Sequence, residues 1–401
     1  MKSTLRLSFI IFALAICAWT QTYTYQLKLE ANRNTGQPSS RFLIVGAKGY
    51  LSGGGSGSPG LYLAQLTGVH LMTRCCTPQA VVVADQNGNL YGEDTSATAP
   101  NGRIFMLNTR AQETDLYDFT GGADGRVHGM SPPQLLFQSP VTLDASGNIW
   151  GMTYSGGSFT CSAYSGFQEG CGVVFKLTNN NGTWSEQVIH AFSGPPDGGA
   201  PEGGLTFDPL SGNYYGTTQF GGDSVCNCGT VFQLSPDGND TWTETVLYTF
   251  TTPGTPNGGV ILDSQGNLYG TNFGDLSRQY GYVYEISQGQ FSILYQFQGF
   301  PDVQNPNGPL LLDANGNLLG TSYQGGTFSG NRQGLGTVFE LSPTQDGWQA
   351  TIIHSFAWED QRPTDGRLPN SGLAMDENGN LWGTTSLGGA GALGVFFEVT
   401  K

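Results

Sequence analysis

Glu93 and Asp94 stand side by side where related segments of the chain carry short neutral pairs, Met152-Thr153, Thr217-Thr218 and Thr384-Thr385. Adjacent carboxylates can pass protons, or hold a cation or a sugar hydroxyl. Asp275 and Arg278 lie in a nearby loop. Two related stretches, Asp124-Gly-Arg126 and Asp365-Gly-Arg367, each set an acid two residues from a base, and His128 follows the first. A carboxylate cluster with arginines near a channel mouth could bind sugars or a cation. It could also perform acid–base work on a glycosidic bond, as in a glycoside hydrolase or polysaccharide lyase. The plainer reading is solvated loop charge with internal Asp–Arg pairing. Geometry separates these: two carboxylates about 5–10 Å apart in one channel-facing pocket favour the hydrolase. Acids spread over separate blades, each paired with Arg, favour binding or no site. Glu93, Asp94 and Asp275 are the candidates for catalysis. Those three with Asp124, Arg126, His128, Arg278, Asp365 and Arg367 are the candidates for ligand binding.

Other residue types offer less. His70, His190 and His354 occupy a slot that elsewhere holds Tyr25, Tyr117, Tyr248 and Tyr295, so they are expected to fill space on outer strands. No Ser/His/Asp motif of recognisable context appears, and Gly-rich runs such as Ser155-Gly-Gly-Ser158 read as loops between strands rather than phosphate cradles. Asp recurs in a D-x-x-G-N phrase that resembles part of a calcium loop but lacks its bidentate Glu, so turn capping is expected. No cofactor is expected beyond this marginal case for Ca²⁺. Cys161 and Cys171 flank one Gly/Ser-rich loop and are expected to bridge. Cys226 with Cys228, and Cys75 with Cys76, would be strained as internal pairs and are expected to pair across repeats or stay reduced. No C-x-x-C pair or His set supports zinc.

These residues are carried by a repeat. Six segments share one phrase, from Asp85-Gln-Asn-Gly-Asn-Leu-Tyr-Gly92 to Asp376-Glu-Asn-Gly-Asn-Leu-Trp-Gly383, with the others starting at Asp144, Asp208, Asp263 and Asp313. Successive Asp residues lie 59, 64, 55, 50 and 63 apart, a period suited to a β blade. Each unit parses into four short strands. The first precedes the Asp, and the second follows it, as in Asn380-Leu-Trp-Gly-Thr-Thr385. The third reads Gly229-Thr-Val-Phe-Gln-Leu234 or Gly336-Thr-Val-Phe-Glu-Leu341, and the fourth ends in an aromatic pair such as Tyr248/Phe250 or His354/Phe356. The aromatics Tyr91, Trp150, Tyr215, Tyr269 and Trp382 recur at one position, where packing between blades is expected ahead of sugar stacking. A degenerate unit from Phe42 to Met72, with Gly46 in place of the Asp, brings the count to seven. The last unit stops after its third strand, and Tyr23-Thr-Tyr25-Gln-Leu27 resembles the missing fourth. The expected fold is therefore all-β: a seven-bladed β-propeller of four-stranded blades, closed by the N-terminal strand completing the C-terminal blade.

Composition agrees with this architecture. The chain has 401 residues with 61 glycines, 12% aromatic and only 12% charged residues, which excludes coiled coils, helical bundles and charge-driven disorder. A net charge of −15 excludes a polyanion binder, so no nucleic acid is expected as a partner. At the N-terminus, Lys2 and Arg6 precede an apolar run from Leu7 to Trp19, too short for a span but suited to a secretory signal. Residues 1–18 are assigned to a signal peptide and 19–401 to one propeller domain, in a secreted or periplasmic protein. Bulky Ile16 before Cys17 argues against lipoprotein processing. No later segment is apolar enough to span a bilayer. The expected partner is an extracellular glycan, protein or surface polymer, met by a monomer.

With its D-x-x-G-N-[LI]-[YW]-G-T-T and G-T-V-F-x-L motifs and the strand-four aromatic pair, the chain resembles the GloVer-type tandem repeat proteins over residues 81–401, and in outline over 22–80. That resemblance implies a propeller and export, and transfers no catalytic residue. Its members usually carry a surface anchor. None is evident at the C-terminus here, which favours a free exported protein.

Overall fold

The D-x-x-G-N phrase turns the chain because its Asp satisfies the turn. In the computed structural model, Asp263 Oδ1 accepts the backbone N–H groups of Gln265 and Asn267, both at 2.8 Å. Its Oδ2 accepts Asn267 Nδ2 at 2.9 Å and the Tyr269 hydroxyl at 3.1 Å. Gly266 supplies the left-handed backbone the turn requires, with φ of 85°. The arrangement recurs at Asp85 with Tyr91, at Asp144 with Trp150 and at Asp376 with Trp382, where the aromatic polar atom lies six residues on. These aromatics are therefore tied to the turn and buried, as their packing role requires.

Strand two then pairs with strand three in one fixed register. Gly151, Gly216, Gly320 and Gly383 sit opposite Phe175, Phe232, Phe339 and Phe397, and Gly270 opposite Tyr284. In each case the ring lies across the glycine. A Cβ at Gly151 would come within 2.4 Å of Phe175 Cζ, and one at Gly383 within 2.2 Å of Phe397 Cζ. The last Gly of the sequence phrase is thus the bed for the Phe of the G-T-V-F phrase, and the two motifs are halves of one contact.

The structure describes residues 24–30, 50–54, 61–65, 83–94, 99–110, 112–127, 140–161, 170–275, 279–327, 334–357, 365–369, 372–389 and 394–400, the first three stretches by backbone alone. Among them, strands form six four-stranded antiparallel blades in chain order. The first runs from Val83–Ala84 to Glu113–Asp118, and the second from Thr142–Leu143 to Thr183–Ala191. The third spans Gly198–Phe207 to Trp242–Thr249, the fourth Val260–Leu262 to Gln290–Gln296 and the fifth Val303–Leu312 to Gly347–Ser355. In the sixth, the innermost strand comes in two pieces, Arg367–Pro369 and Ala374–Met375, followed by Leu381–Leu387 and Val395–Thr400. Its fourth position is taken by Thr24–Glu30, which pairs antiparallel with Val395–Thr400, Tyr25 opposite Val399.

The expected count of seven four-stranded blades is corrected to six. The degenerate first unit contributes a two-stranded hairpin, Tyr50–Gly54 with Leu61–Gln65. Its Gly46 has no carboxylate to gather turn N–H groups, the feature that organises every other unit. The strands expected at 42–45 and 69–72 lie outside the described residues.

Apolar burial is concentrated between blades rather than within them. Tyr91, Ile104 and Phe119 of the first blade pack with Val141, Ile149 and Phe175 of the second. Four further cores join the second blade to the third and so on to the sixth. No helix among the described residues is long and apolar enough to cross a membrane.

Candidate functional site

Glu93 lies on the second strand of the first blade and is 2% exposed. Its counterparts in the third and fifth blades show what the slot does. Thr217 Oγ1 donates to the carbonyls of Glu202 or Pro256, at 3.0 and 2.8 Å, and Thr321 Oγ1 to that of Asn307 at 2.9 Å. The slot therefore backs the innermost strands, among buried Glu202, Asn257 and Asn307. Asp94 pairs through its backbone with Arg103, and its side chain lies outside the described residues, as do His128 and Arg278.

The remaining acids are engaged locally. Asp124 accepts the Thr120 N–H at 2.7 Å and the Tyr117 hydroxyl at 3.1 Å. Asp275 accepts the Gln279 N–H at 3.2 Å, closing its own loop. Asp365 Oδ2 lies 3.2 Å from His354 Nε2 and accepts from the Ala357 N–H. Arg126 donates through Nε to Asn101 Oδ1 at 2.9 Å, and Arg367 opens the inner strand of the sixth blade. Among the described residues, Asp124, Arg126, Asp275 and Asp365 have the partners given above. They are distributed over separate blades, and these hydrogen bonds fix loops.

The strand-four His/Tyr slot does more than fill space. In addition to Tyr117–Asp124 and His354–Asp365, His190 Nε2 lies 3.3 Å from Asp197 Oδ2. The spacing of seven that joins Tyr117 to Asp124 and His190 to Asp197 is visible in the sequence, and aligning it would have found the pairing. A second acid from the next blade approaches two of these pairs. Burial, and then the charge of Asp124, raises the Glu186 carboxyl to about 7. Glu244 is likewise raised to about 7 by burial and Asp197, with His190 opposing. Asp197 itself is held below the usual range: burial pushes it up, but hydrogen bonds from His190, Gly198 and Ser193 prevail.

A pocket opens between the second and third blades, on the face carrying the loops after strands two and four. Tyr154 and Phe220, each just beyond the conserved part of strand two, form its aromatic walls, with Pro195 and Asn227. Tyr154 donates its hydroxyl to Gln219 Oε1 at 2.8 Å across the blade boundary. The expected Cys161–Cys171 disulfide is present and lines the pocket. Cys226 and Cys228 bridge each other, which corrects the expectation of pairing across repeats or free thiols. The intervening Asn227 adopts φ of 52° and accepts the Gly221 N–H through Oδ1 at 2.6 Å. Cys75 and Cys76 lie outside the described residues. Among the described residues, none of the charged sequence candidates lines the pocket. Sequence reasoning missed it because aromatic, proline and disulfide walls come from loops of unequal length, with no shared motif.

Solved structures share the architecture. A streptogramin B lyase is 12% identical, over 94% of this chain and 97% of that one, with a TM-score of 0.56. A catalytically inactive variant of virginiamycin B lyase from Staphylococcus aureus, with quinupristin, is 13% identical over 94% and 99%, also at 0.56. At these identities the likeness is one of fold. No curated protein matches the sequence. The Gloeobacter/Verrucomicrobia repeat profile matches residues 64–255, 157–330 and 225–401 in overlapping copies. The chain belongs to the Gloeobacter/Verrucomicrobia repeat family.

Proposed function

We propose that the protein is an exported binding module that holds an extracellular glycan, protein or surface polymer at the loop face, with the pocket between the second and third blades as its anchor point. One observation carries this reading: among the described residues the pocket is walled by the aromatic rings of Tyr154 and Phe220, by Pro195, Ala200, Asn227 and the Cys161–Cys171 disulfide, and by glycine backbone, with no carboxylate or imidazole. Such a surface suits the apolar face of a sugar ring or an apolar side chain. Two disulfides, Cys161–Cys171 and Cys226–Cys228, and the apolar N-terminal run support export. Pairing of Thr24–Glu30 with the last strand supports a ring closed by the N-terminal segment of the mature chain.

The reading is tested on a glycan array and an extracellular protein panel with the wild type, Tyr154→Ala and Phe220→Ala. Binding that weakens by at least roughly tenfold in both variants is expected, since aromatic anchors dominate such sites. Undiminished binding would move the site elsewhere. Cleavage of a polysaccharide by the wild type, abolished by Glu93→Gln, would establish the enzymatic alternative instead.

A further inference from the structure

His190 and Asp197 lie seven residues apart on either side of one loop, and Glu244 joins them from a strand further along the chain. His190 ends the outer strand of the second blade, Asp197 sits just before the inner strand of the third, and Glu244 lies on the outer strand of the third. One ligand atom from each, an imidazole nitrogen and two carboxylate oxygens, lies within 4.8 Å of the others. Ligands about 2.0–2.1 Å from a tetrahedral ion stand roughly 3.3 Å apart. The His190–Asp197 separation of 3.3 Å meets this already, and the Glu244 oxygen lies within 4.8 Å of both.

Two features show that this is more than a chance meeting of acids. Glu244 Oε1 is buried and accepts no hydrogen bond, which is costly for a carboxylate without a cation. Asp197 is already oriented by N–H donors from Ser193 at 2.9 Å and Gly198 at 2.6 Å, as a ligating carboxylate is by its surroundings. The neighbouring interface supplies an internal comparison. There Tyr117, Asp124 and Glu186 occupy the corresponding places, with Glu186 Oε1 likewise buried without a hydrogen bond, so the two acids recur and what sets the His190 site apart is the imidazole in place of a phenol. Among the described residues this grouping of metal-binding side chains occurs at His190, Asp197 and Glu244 alone.

We infer that His190, Asp197 and Glu244 form a binding site for one divalent transition-metal cation of the zinc or manganese type, clasping the second blade to the third. One imidazole among the ligands favours such ions over Ca²⁺ and Mg²⁺, which take oxygen donors. The ion would replace the repulsion between two carboxylates with attraction. It would also brace the loop from Ser193 to Gly198, which carries Gly194 and Pro195 into the pocket wall. The site does not depend on the proposed ligand-binding role of that pocket.

Titration calorimetry and thermal melts of the chelator-treated full protein test the inference, using Zn²⁺, Mn²⁺, Ca²⁺ and Mg²⁺ as separate probes. The wild type is expected to bind one Zn²⁺ or Mn²⁺ and to melt at higher temperature with it. Glu244→Gln and His190→Gln, each first shown to fold from its metal-free melt, are expected to weaken binding by at least roughly tenfold. Glu186→Gln is expected to leave it unchanged. No binding of Zn²⁺ or Mn²⁺ by the wild type, undiminished binding in both folded variants, or preference for Ca²⁺ or Mg²⁺ would each overturn the site.

Discussion

Single carboxylates define this molecule more by what they hold in the backbone than by chemistry offered to solvent. Asp263 accepts four donors, so Asp263→Ala is expected to cost about 1–3 kcal/mol, read as a shift in urea midpoint at unchanged slope. Burial raises the carboxyls of Asp85, Asp144, Asp263 and Asp376, but bonds from the Asn and backbone N–H groups of each turn outweigh it and leave all four below the ordinary value. Their contribution is complete above the unfolded value near 4 and is lost as pH falls through the lower folded values. Glu186 acts in the opposite sense. Its folded value of about 7 exceeds the unfolded 4.5, so its burial beside Asp124 and Tyr117 weakens the fold progressively as pH rises between those values. Glu186→Gln is therefore expected to raise the melting temperature at pH 8 and to change it little near pH 4. Asp turns were legible in the sequence because one residue type does one local job at constant spacing. The His190–Asp197 pairing was not, because equating His with Tyr in the slot conceals what the slot bonds to.

At the level of strands, the glycine bed is a steric device with a direct test. Gly320→Ala would place a methyl 2.6 Å from Phe339 Cζ, and overpacking of this kind costs about 1–3 kcal/mol. The double variant Gly320→Ala with Phe339→Leu should recover part of the loss if the ring is the obstacle. Loop cross-links are separable from this. Cys161 and Cys171 close a loop of sequence separation 10, so Cys161→Ser is expected to lower stability by about 2–3 kcal/mol. The strand grammar was readable to within a residue or two because alternation and turn residues are local properties. What escaped was the first unit, where Val81-Val-Val-Ala84 resembles Phe42-Leu-Ile-Val45 in polarity but the latter precedes Gly46.

For the whole molecule, the sixth blade joins the two ends of the chain through Thr24–Glu30 and Val395–Thr400. Deleting residues 19–30 is expected to lower the melting temperature sharply or to cause aggregation, by exposing the edge of Val395–Thr400. An unchanged melt would show that the N-terminal strand contributes no closure. Architecture could be inferred from one sequence because it repeats, and repetition averages out local noise. The pocket could not, since it forms where two non-identical loops meet and each contributes different residue types.

Because every apolar core is shared by two neighbouring blades, no single blade owns an interior. Phe175 shelters Phe119 of the blade before it, and Phe232 shelters Phe192 in the same manner. A fragment cut from the chain would carry a greasy flank at each end, with half of a contact on both. Partial products of synthesis or proteolysis are thus committed either to finding the remaining blades or to sticking to one another, and gain or loss of repeats in such a chain succeeds only where the new flanks match.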